Sequence, residues 1–165
     1  IANCNFEQLS STCGYITGTS ENSSFAFFKT EYCGGMDHTP FGPGSMMCAR
    51  QCDGKQSSDG DIATLESPTF ELKPSEDISV SFFFRMYGDM TSLDISVGAE
   101  ESKNDSVPLF VAHGDHGYRW YEVCANIPLT PTNKQMTLTA NAIHGSKCDG
   151  IYALDDIEFR YSKCS

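Results

Sequence analysis

The chain has few positive charges and no long apolar run. Of its 165 residues, 11 are Lys or Arg and 22 are Asp or Glu, which gives a formal net charge of -11 at pH 7. Binding to nucleic acid requires a basic footprint that these few cations do not provide, so we expect no nucleic-acid partner. No apolar run reaches the roughly 18 residues of a membrane span, and no basic-then-apolar leader opens the chain. We therefore expect no membrane insertion by this segment.

Sequence motifs of common catalytic sites are also missing. The chain contains neither the H-E-x-x-H motif of zinc proteases, nor a G-x-x-x-x-G-K phosphate-binding loop, nor a G-x-S-x-G nucleophile elbow. Two histidines and an aspartate in His113-Gly114-Asp115-His116-Gly117 could ligate a metal, but their glycines lie between two strand-like runs and favour a hairpin turn. These absences predict a non-catalytic protein.

Cysteine, in contrast, is abundant and dispersed. The eight cysteines are Cys4, Cys13, Cys33, Cys48, Cys52, Cys124, Cys148 and Cys164. An even, dispersed set indicates disulfides formed in an oxidising compartment, so the protein is predicted to be secreted or to form the extracellular part of a cell-surface protein. Structural zinc sites use paired short spacings, whereas here the closest pair, Cys48 and Cys52, has no second tight pair beside it.

Two N-glycosylation sequons agree with an extracellular location. They begin at Asn22 and Asn104, and each falls in a polar stretch that predicts a loop. We expect both asparagines to lie on surfaces that are not used for binding, because a glycan is bulky and hydrated.

The hydrophobic pattern predicts an all-β protein with almost no helix. Ile78, Val80, Phe82 and Phe84 alternate with the residues between them, as in a strand with one buried face. The candidate strands, separated by clusters of turn-forming residues, are 4–8, 14–17, 25–29, 44–48, 62–66, 77–87, 92–98, 107–113, 118–127, 135–143 and 151–161. We predict one domain over residues 1–165, folded as a disulfide-stapled jelly-roll sandwich of two antiparallel sheets.

The last predicted strand contains an acid in an apolar row. With a period of two, Asp155 lies in the middle of an apolar row formed by Ile151, Ala153, Ile157, Phe159 and Tyr161. A carboxylate removed from water requires a hydrogen-bonding or cationic partner. The pattern therefore leaves two alternatives for Asp155, a structural acid that accepts backbone N–H groups or a metal ligand.

Seven short motifs, in order along the whole chain, resemble the signature of a MAM domain. They are residues 4–7 (CNFE), 13–15 (CGY), 37–39 (DHT), 63–68 (ATLESP), 82–88 (FFFRMYG), 114–120 (GDHGYRW) and 153–157 (ALDDI). The resemblance implies an extracellular jelly-roll adhesion module of the kind found in meprins, neuropilins and the mu class of receptor tyrosine phosphatases. It implies a protein partner, either homotypic or heterotypic, and possible assembly of a larger protein.

A second functional class stays open beside adhesion. Jelly rolls also form carbohydrate-binding modules, and fold alone does not separate the two. Trp120 with Tyr118 and Tyr121 could form a sugar-stacking platform, although aromatic residues in alternating strands are more often core. Exposed aromatics on a sheet face would favour sugar, and a polar patch would favour a protein partner.

The resemblance also suggests disulfide pairings. Cys4 and Cys13 flank a turn-rich link and match the first disulfide of the family, so we expect them to be bonded. In the family, a cysteine before the F-x-x-x-M-x-G strand usually pairs with the C-terminal cysteine, whereas this chain has Ser79 there. We predict a bridge from Cys124 to Cys148, between elements expected to be neighbours. The cysteines that remain, with three possible pairings and no free thiol expected, are Cys33, Cys48, Cys52 and Cys164.

A structural cation is the last expectation. The first and last strands of jelly-roll modules commonly meet, which would bring Glu7 towards Asp155 and Asp156, and the resemblance suggests that Asp37 packs near the same place. Converging carboxylates require a cation to remain ionised together, and calcium takes about 6–8 oxygen ligands. We predict structural calcium, with sodium as the second choice. In the alternative, Asp155 accepts backbone N–H groups and Asp156 is solvated.

Overall fold

The computed structural model describes residues 3–7, 12–33, 44–52, 59–88, 91–99 and 102–165. Within these ranges the chain forms strands and no helix. The strands are β1 (Ile16–Thr19), β2 (Phe28–Thr30), β3 (Met46–Arg50), β4 (Ile62–Glu66), β5 (Phe70–Leu72), β6 (Ser79–Tyr87), β7 (Ser92–Ala99), β8 (Ser102–His113), β9 (Tyr121–Asn126), β10 (Lys134–Ile143) and β11 (Ile151–Arg160). No helix in the described part of the chain has the length and apolar character needed to cross a membrane.

The strands form two antiparallel sheets that pack face to face. The six-stranded sheet has the order β1-β4-β10-β7-β8, with β5 also paired to β10, and the five-stranded sheet has the order β2-β3-β11-β6-β9. Because neighbours in each sheet are distant in the sequence, the strands must cross repeatedly between the sheets. The predicted jelly-roll sandwich is confirmed.

The core lies between the inner faces of the two sheets. Phe82 and Phe84 of β6 contact Phe110 of β8 across the sandwich, with ring centroids 5.6 and 5.1 Å apart. Ile78, Val80, Phe82 and Phe84 are all buried, as their alternation predicts. Burying a side chain of this size contributes roughly 1.5–3 kcal/mol, so the core is the main source of stability.

Several sequence-based expectations about the strands differ in the structure. The predicted strand 4–8 forms one isolated bridge, between Cys4 and Ile157, and residue 8 lies outside the described residues. The strand Phe70–Leu72 was not predicted, because three residues are too few to show a period. Asn104 was predicted in a loop but lies in β8, the edge strand next to β7 among the strands that the structure describes. Asn22 lies exposed in a turn, as predicted.

All eight cysteines form disulfides. The pairs are Cys4–Cys13, Cys33–Cys48, Cys52–Cys148 and Cys124–Cys164. The Cys4–Cys13 bridge and the absence of a free thiol agree with the sequence-based expectation.

The predicted Cys124–Cys148 bridge is wrong. Cys124 lies on β9, at the edge of the five-stranded sheet, whereas Cys148 precedes β11 at the end next to β3. The loop that contains Cys148 is held there by Gln51, whose N–H donates to Gly150 O at 2.8 Å. Because β6 separates β9 from β11, the two cysteines are not neighbours.

The C-terminal cysteine instead finds its partner on the edge strand. The N–H of Cys164 donates to Asn126 Oδ1 at 2.8 Å, which places the chain end beside β9. Cys124 lies directly across from Ser81 of β6. The resemblance implies a bridge from the C-terminal cysteine to the strand equivalent to β6, and here that bridge is made instead to the adjacent strand, β9.

Candidate functional site

The last strand contains a β-bulge at its two aspartates. Asp155 pairs with Phe83, but the next registered pair is Glu158 with Ser81, so the bulged strand carries one extra residue. Asp156 has a φ of 49°, in the left-handed region that non-glycine residues seldom adopt. Asp155 Oδ1 accepts the N–H of Asp156 at 2.8 Å.

The bulge changes which residues share a face. Tyr152 and Leu154 before it, and Ile157 and Phe159 after it, all belong to the core between the sheets. Ala153 is buried in a separate cluster on the outer side, together with the Cys33–Cys48 disulfide. The prediction that Asp155 shares a face with Ile157 and Phe159 is therefore wrong, because the extra residue inverts the alternation. Asp155 itself is fully buried.

The chain start lies against this bulge. Cys4 and Ile157 exchange both backbone hydrogen bonds at 2.9 Å, and Asn3 Oδ1 accepts the N–H of Phe159 at 2.7 Å. The expected meeting of the first and last segments therefore occurs, although as a single bridge.

The predicted metal ligands are only partly assembled in the described residues. Glu7 Oε1 accepts the N–H of Ser45 at 3.4 Å, and Asp155 accepts a backbone N–H as described above. Asp37 lies outside the described residues. Within the described ranges, no group of three or more acidic, histidine or cysteine side chains is arranged to hold a metal ion.

A cleft on the outer face of the five-stranded sheet is lined in part by the Cys4–Cys13 disulfide. Its volume is about 710 Å³, and its walls include Phe83, Glu122, Asp156, Glu158 and Arg160. Arg160 donates to both carboxylate oxygens of Glu158 at 3.0 Å, and this hydrogen bond lowers the pKa of Glu158. Both side chains are exposed, so the ion pair adds little stability.

A second concave surface surrounds Tyr118. Two adjoining cavities of about 510 and 500 Å³ share Arg50, Tyr118 and Ile151, and Tyr32 completes the first of them. We call this surface the tyrosine groove. The Tyr118 ring stacks on that of Tyr87, with centroids 4.2 Å apart and planes inclined by 18°, and Tyr118 remains 56% exposed.

The three predicted platform aromatics have different environments. Trp120 packs partly buried against the outer cluster, where the Arg85 guanidinium lies 4.4 Å from the centre of its ring. Tyr121 stacks on Phe84 at 5.6 Å, next to the core. Trp120 and Tyr121 are therefore packing residues, and Tyr118 alone of the three presents an open ring.

The histidine-rich cluster forms the predicted turn. Gly114 and Gly117 have φ values of 77° and 78°, and Asp115 Oδ1 accepts the N–H of Gly117 at 2.6 Å. His113 Nδ1 lies 3.0 Å from Ser92 Oγ, and His116 Nε2 lies 3.2 Å from His113 O. These contacts close the turn.

Sequence analysis missed a buried polar network below the groove. His144 is 2% exposed, its Nε2 accepts the N–H of Cys52 at 3.0 Å, and its Nδ1 lies 2.6 Å from Gly145 O. Gln51 donates to Lys147 O at 2.6 Å and accepts from the Tyr152 hydroxyl at 3.2 Å. The network anchors the loop before β11. No local pattern marks it, because its members come from distant parts of the sequence.

The outer face of the six-stranded sheet carries mainly short, uncharged side chains. Thr64 Oγ1 donates to Asn141 Oδ1 at 3.0 Å across β4 and β10. Ser96 pairs with Thr139 on the neighbouring strands β7 and β10. We call this surface the polar face, defined by Thr64, Glu66, Asp94, Ser96, Thr139 and Asn141.

The fold and four disulfides define a disulfide-stapled jelly-roll module. The model of the MAM domain family (meprin/A5/mu) matches residues 4–165. The chain therefore belongs to the MAM family, as the sequence motifs predicted.

A curated relative matches part of the chain. The human MAM domain-containing glycosylphosphatidylinositol anchor protein 2 is 28% identical over 116 residues, which cover 65% of this chain and 12% of the relative. The protein of the same name from Mus musculus matches to the same extent. The match thus spans about one-eighth of the length of these relatives.

Solved structures share the fold at low sequence identity. The K1 cleaved adhesin domain of Lys-gingipain from Porphyromonas gingivalis W83 has a TM-score of 0.64 and 13% identity, with 97% of each chain covered. The CBM22-1 xylan-binding domain of Paenibacillus barcinonensis Xyn10C has a TM-score of 0.59 and 12% identity, with coverage of 99% of this chain and 94% of that domain. Identities this low show a common fold and nothing about the ligand.

Proposed function

We propose that the chain is a non-catalytic extracellular adhesion module of a larger secreted or cell-surface protein. Membership of the MAM family supports an adhesion-type role. The four disulfides suit an oxidising compartment. The small share of the relative covered by the match, 12%, agrees with a module within a longer protein.

We further propose that the module associates with a second copy of itself through the polar face. Hydroxyl and amide groups both donate and accept hydrogen bonds, so a surface of Ser, Thr and Asn is complementary to itself, as a twofold contact requires. The face contains two carboxylates, Glu66 and Asp94, in a chain of net charge -11. The other four members of the face are uncharged, so hydroxyl and amide groups, and not ion pairs, would form most of the contact.

Sedimentation velocity of the glycosylated protein over a range of concentrations tests this contact. A long cation at the centre of the face, Thr139→Arg, should abolish a concentration-dependent dimer. Thr132→Arg, in an exposed turn before β10, is the matched control and should leave the dimer unchanged. A strict monomer at high concentration, or equal behaviour of the two variants, would contradict self-association through this face.

Carbohydrate binding is the second candidate function. One observation favours it, the open ring of Tyr118 in the tyrosine groove. An exposed aromatic ring on a concave surface can stack on the apolar face of a sugar ring.

We also propose a structural calcium ion at the junction of the chain ends. The buried carboxylate of Asp155 suits a hard cation, and Glu7, Asp37 and Asp156 are the other side chains that would hold the ion. Its role would be structural, since calcium would supply positive charge where carboxylates meet. Because an ion bound to the native state stabilises by mass action, EDTA should lower the midpoint of thermal unfolding of the native chain and leave Asp155→Asn unaffected. An equal midpoint with calcium and with EDTA in the native chain would exclude the site.

A further inference from the structure

We infer that the tyrosine groove binds a neutral oligosaccharide, with the open face of Tyr118 as the stacking platform. The inference rests on the second candidate function and assigns it a place on the molecule. It does not depend on self-association, because the groove lies at the five-stranded sheet and the polar face belongs to the six-stranded sheet.

The Tyr118–Tyr87 pair provides a flat apolar surface with a fixed orientation. Tyr87 is the last residue of β6 and covers one face of the Tyr118 ring. The parallel stacking leaves the opposite face of Tyr118 open to a ligand. The C–H face of a pyranose ring is flat and apolar, and its burial against an aromatic ring removes apolar area from water.

Polar groups able to bind sugar hydroxyls surround this platform. The Arg50 guanidinium donates to Tyr32 O at 2.7 Å and lies 5.5 Å from the centre of the Phe28 ring. These contacts hold the guanidinium in place, and a guanidinium carries five N–H donors in all. Asp149 provides a carboxylate acceptor on the other wall of the groove.

The hydroxyl end of Tyr118 lies among further polar groups. A hydrogen bond with Tyr87 raises the pKa of Tyr118, and the negative charges of Asp115 and Asp149 raise it further. The Tyr118 hydroxyl therefore stays protonated at physiological pH and can take part in hydrogen bonds as donor or acceptor. An apolar ring with donors and acceptors at its margin fits the alternating apolar and polar surfaces of a sugar.

The walls of the groove are covalently fixed. The Cys33–Cys48 disulfide follows Tyr32, and the Cys52–Cys148 disulfide precedes Asp149. At Gly150 a Cβ would come within 2.3 Å of the Gln51 side chain, so the loop packs directly on the residue that follows β3. A preformed site loses little conformational entropy on binding, which suits weak polar ligands.

The size and charge of the groove favour a neutral glycan. Each half has a volume of about 500 Å³, within the range of small-ligand sites and open enough for a chain of sugar rings. The net charge of -11 and the nearby Asp115 and Asp149 disfavour sulfated or other anionic glycans.

Saturation-transfer difference NMR with three neutral probes tests the inference. The probes are cellohexaose, chitohexaose and N-acetyllactosamine at millimolar concentration, and a heparin hexasaccharide is the anionic comparison. We expect at least one neutral probe to bind and to give stronger transfer than heparin. Removal of the platform in Tyr118→Ala should weaken its affinity by about tenfold, as calorimetric titration would measure.

Tyr161→Ala is the matched control. Tyr161 is 61% exposed, close to the exposure of Tyr118, and follows β11 at its far end. This variant should bind the probe as the native chain does, and both variants should keep the native unfolding midpoint. Lack of binding by all three neutral probes, or equal affinity in Tyr118→Ala, would overturn the inference.

Measuring the self-association of the same variants distinguishes the proposed glycan site from the proposed protein contact. We expect Tyr118→Ala to keep the dimerisation behaviour of the native chain. If Tyr118→Ala instead lost the dimer and no probe bound, the groove would be a protein contact and the glycan assignment would be wrong. If sugar bound and neither the native chain nor any variant formed a dimer, the proposal of self-association would be wrong and the glycan site would stand.

Discussion

Asp155 Oδ1 accepts the backbone N–H of Asp156 at 2.8 Å, at the point where β11 bulges. The hydrogen bond gives Oδ1 of this buried carboxylate a donor and helps to hold Asp156 in the left-handed conformation, with a φ of 49°. The bulge directs Asp155 away from the core and places Asp156 on the wall of the 710 Å³ cleft. Bulges often redirect side chains in this way.

The backbone conformation at Asp156 can be tested by substitution. Val has a β-branched side chain that disfavours the left-handed region, whereas Gly adopts it readily. We expect Asp156→Val to be less stable than Asp156→Gly by about 1 kcal/mol in urea unfolding with EDTA present. At Glu122, an exposed strand residue outside the left-handed region, the order should reverse, so that Val is more stable than Gly. The same order at both positions would contradict the observed bulge.

Arg85 and Trp120 should be energetically coupled. Arg85 is 5% exposed, and its guanidinium lies 4.4 Å from the centre of the Trp120 ring. A double-mutant cycle with Arg85→Met and Trp120→Leu, followed by circular dichroism in denaturant, should give a coupling free energy of about 1–2 kcal/mol because the pair is largely desolvated.

Arg119 and Tyr121 form the comparison pair. Arg119 is exposed, and its guanidinium lies 5.8 Å from the centre of the Tyr121 ring. Their cycle should give no more than about 0.5–1 kcal/mol. Equal coupling in the two cycles would show that burial does not strengthen the Arg85–Trp120 contact.

The disulfides should differ in their contributions to stability. The sequence separations are 9 for Cys4–Cys13, 40 for Cys124–Cys164 and 96 for Cys52–Cys148. Loop-closure entropy predicts losses of about 2.5, 4 and 4.5 kcal/mol for the respective double Cys→Ser variants. Denaturant unfolding checks this order, and peptide mapping of the native chain checks the pairing. A Cys124–Cys148 peptide would contradict the disulfide pairing. A greater loss of stability from the Cys4–Cys13 variant than from the others would contradict the order that loop-closure entropy predicts.

Stability should fall at alkaline pH because of two buried tyrosines. Burial raises the pKa of Tyr15 and of Tyr152 far above the ordinary value of about 10. Above about pH 10 the unfolded chain releases these protons while the native chain retains them, so the free energy of unfolding decreases as the pH rises. The contribution is fully present below about pH 10, and its loss should approach about 1.4 kcal/mol per pH unit for each tyrosine.

Tyr15→Phe removes one of these titrating protons, so the free energy of unfolding should decrease less steeply with rising pH. Tyr161→Phe, at an exposed position, is the control. Urea unfolding between about pH 8 and about pH 11 measures both slopes. Identical slopes for Tyr15→Phe and the native chain would contradict the role of Tyr15.

Local patterns were sufficient to predict the fold class. The alternation of Val80, Phe82 and Phe84 requires one buried face, and the turn at Gly114 and Gly117 requires residues that adopt positive φ. These properties depend on neighbouring residues alone, so the sequence contains them. The family motifs are likewise short and local, and the expected family was confirmed.

Contacts between distant segments were not predictable in the same way. The partner of Cys124 depends on the order of strands in the five-stranded sheet, which places β6 between β9 and β11. Tyr118 and Trp120 are both aromatic residues of one short segment, yet one ring is open and the other covers Arg85.

The amino-acid sequence by itself determined an all-β, disulfide-bonded extracellular type of module, because strand periodicity and cysteine content are properties of the chain. Tertiary structure alone decided on which face of the five-stranded sheet Asp155 and Ile157 lie, since one extra residue at the bulge inverts the alternation. It also decided the disulfide partners and the exposure of Tyr118. The physical reason is that strand register and strand order are set by packing between segments far apart in the sequence.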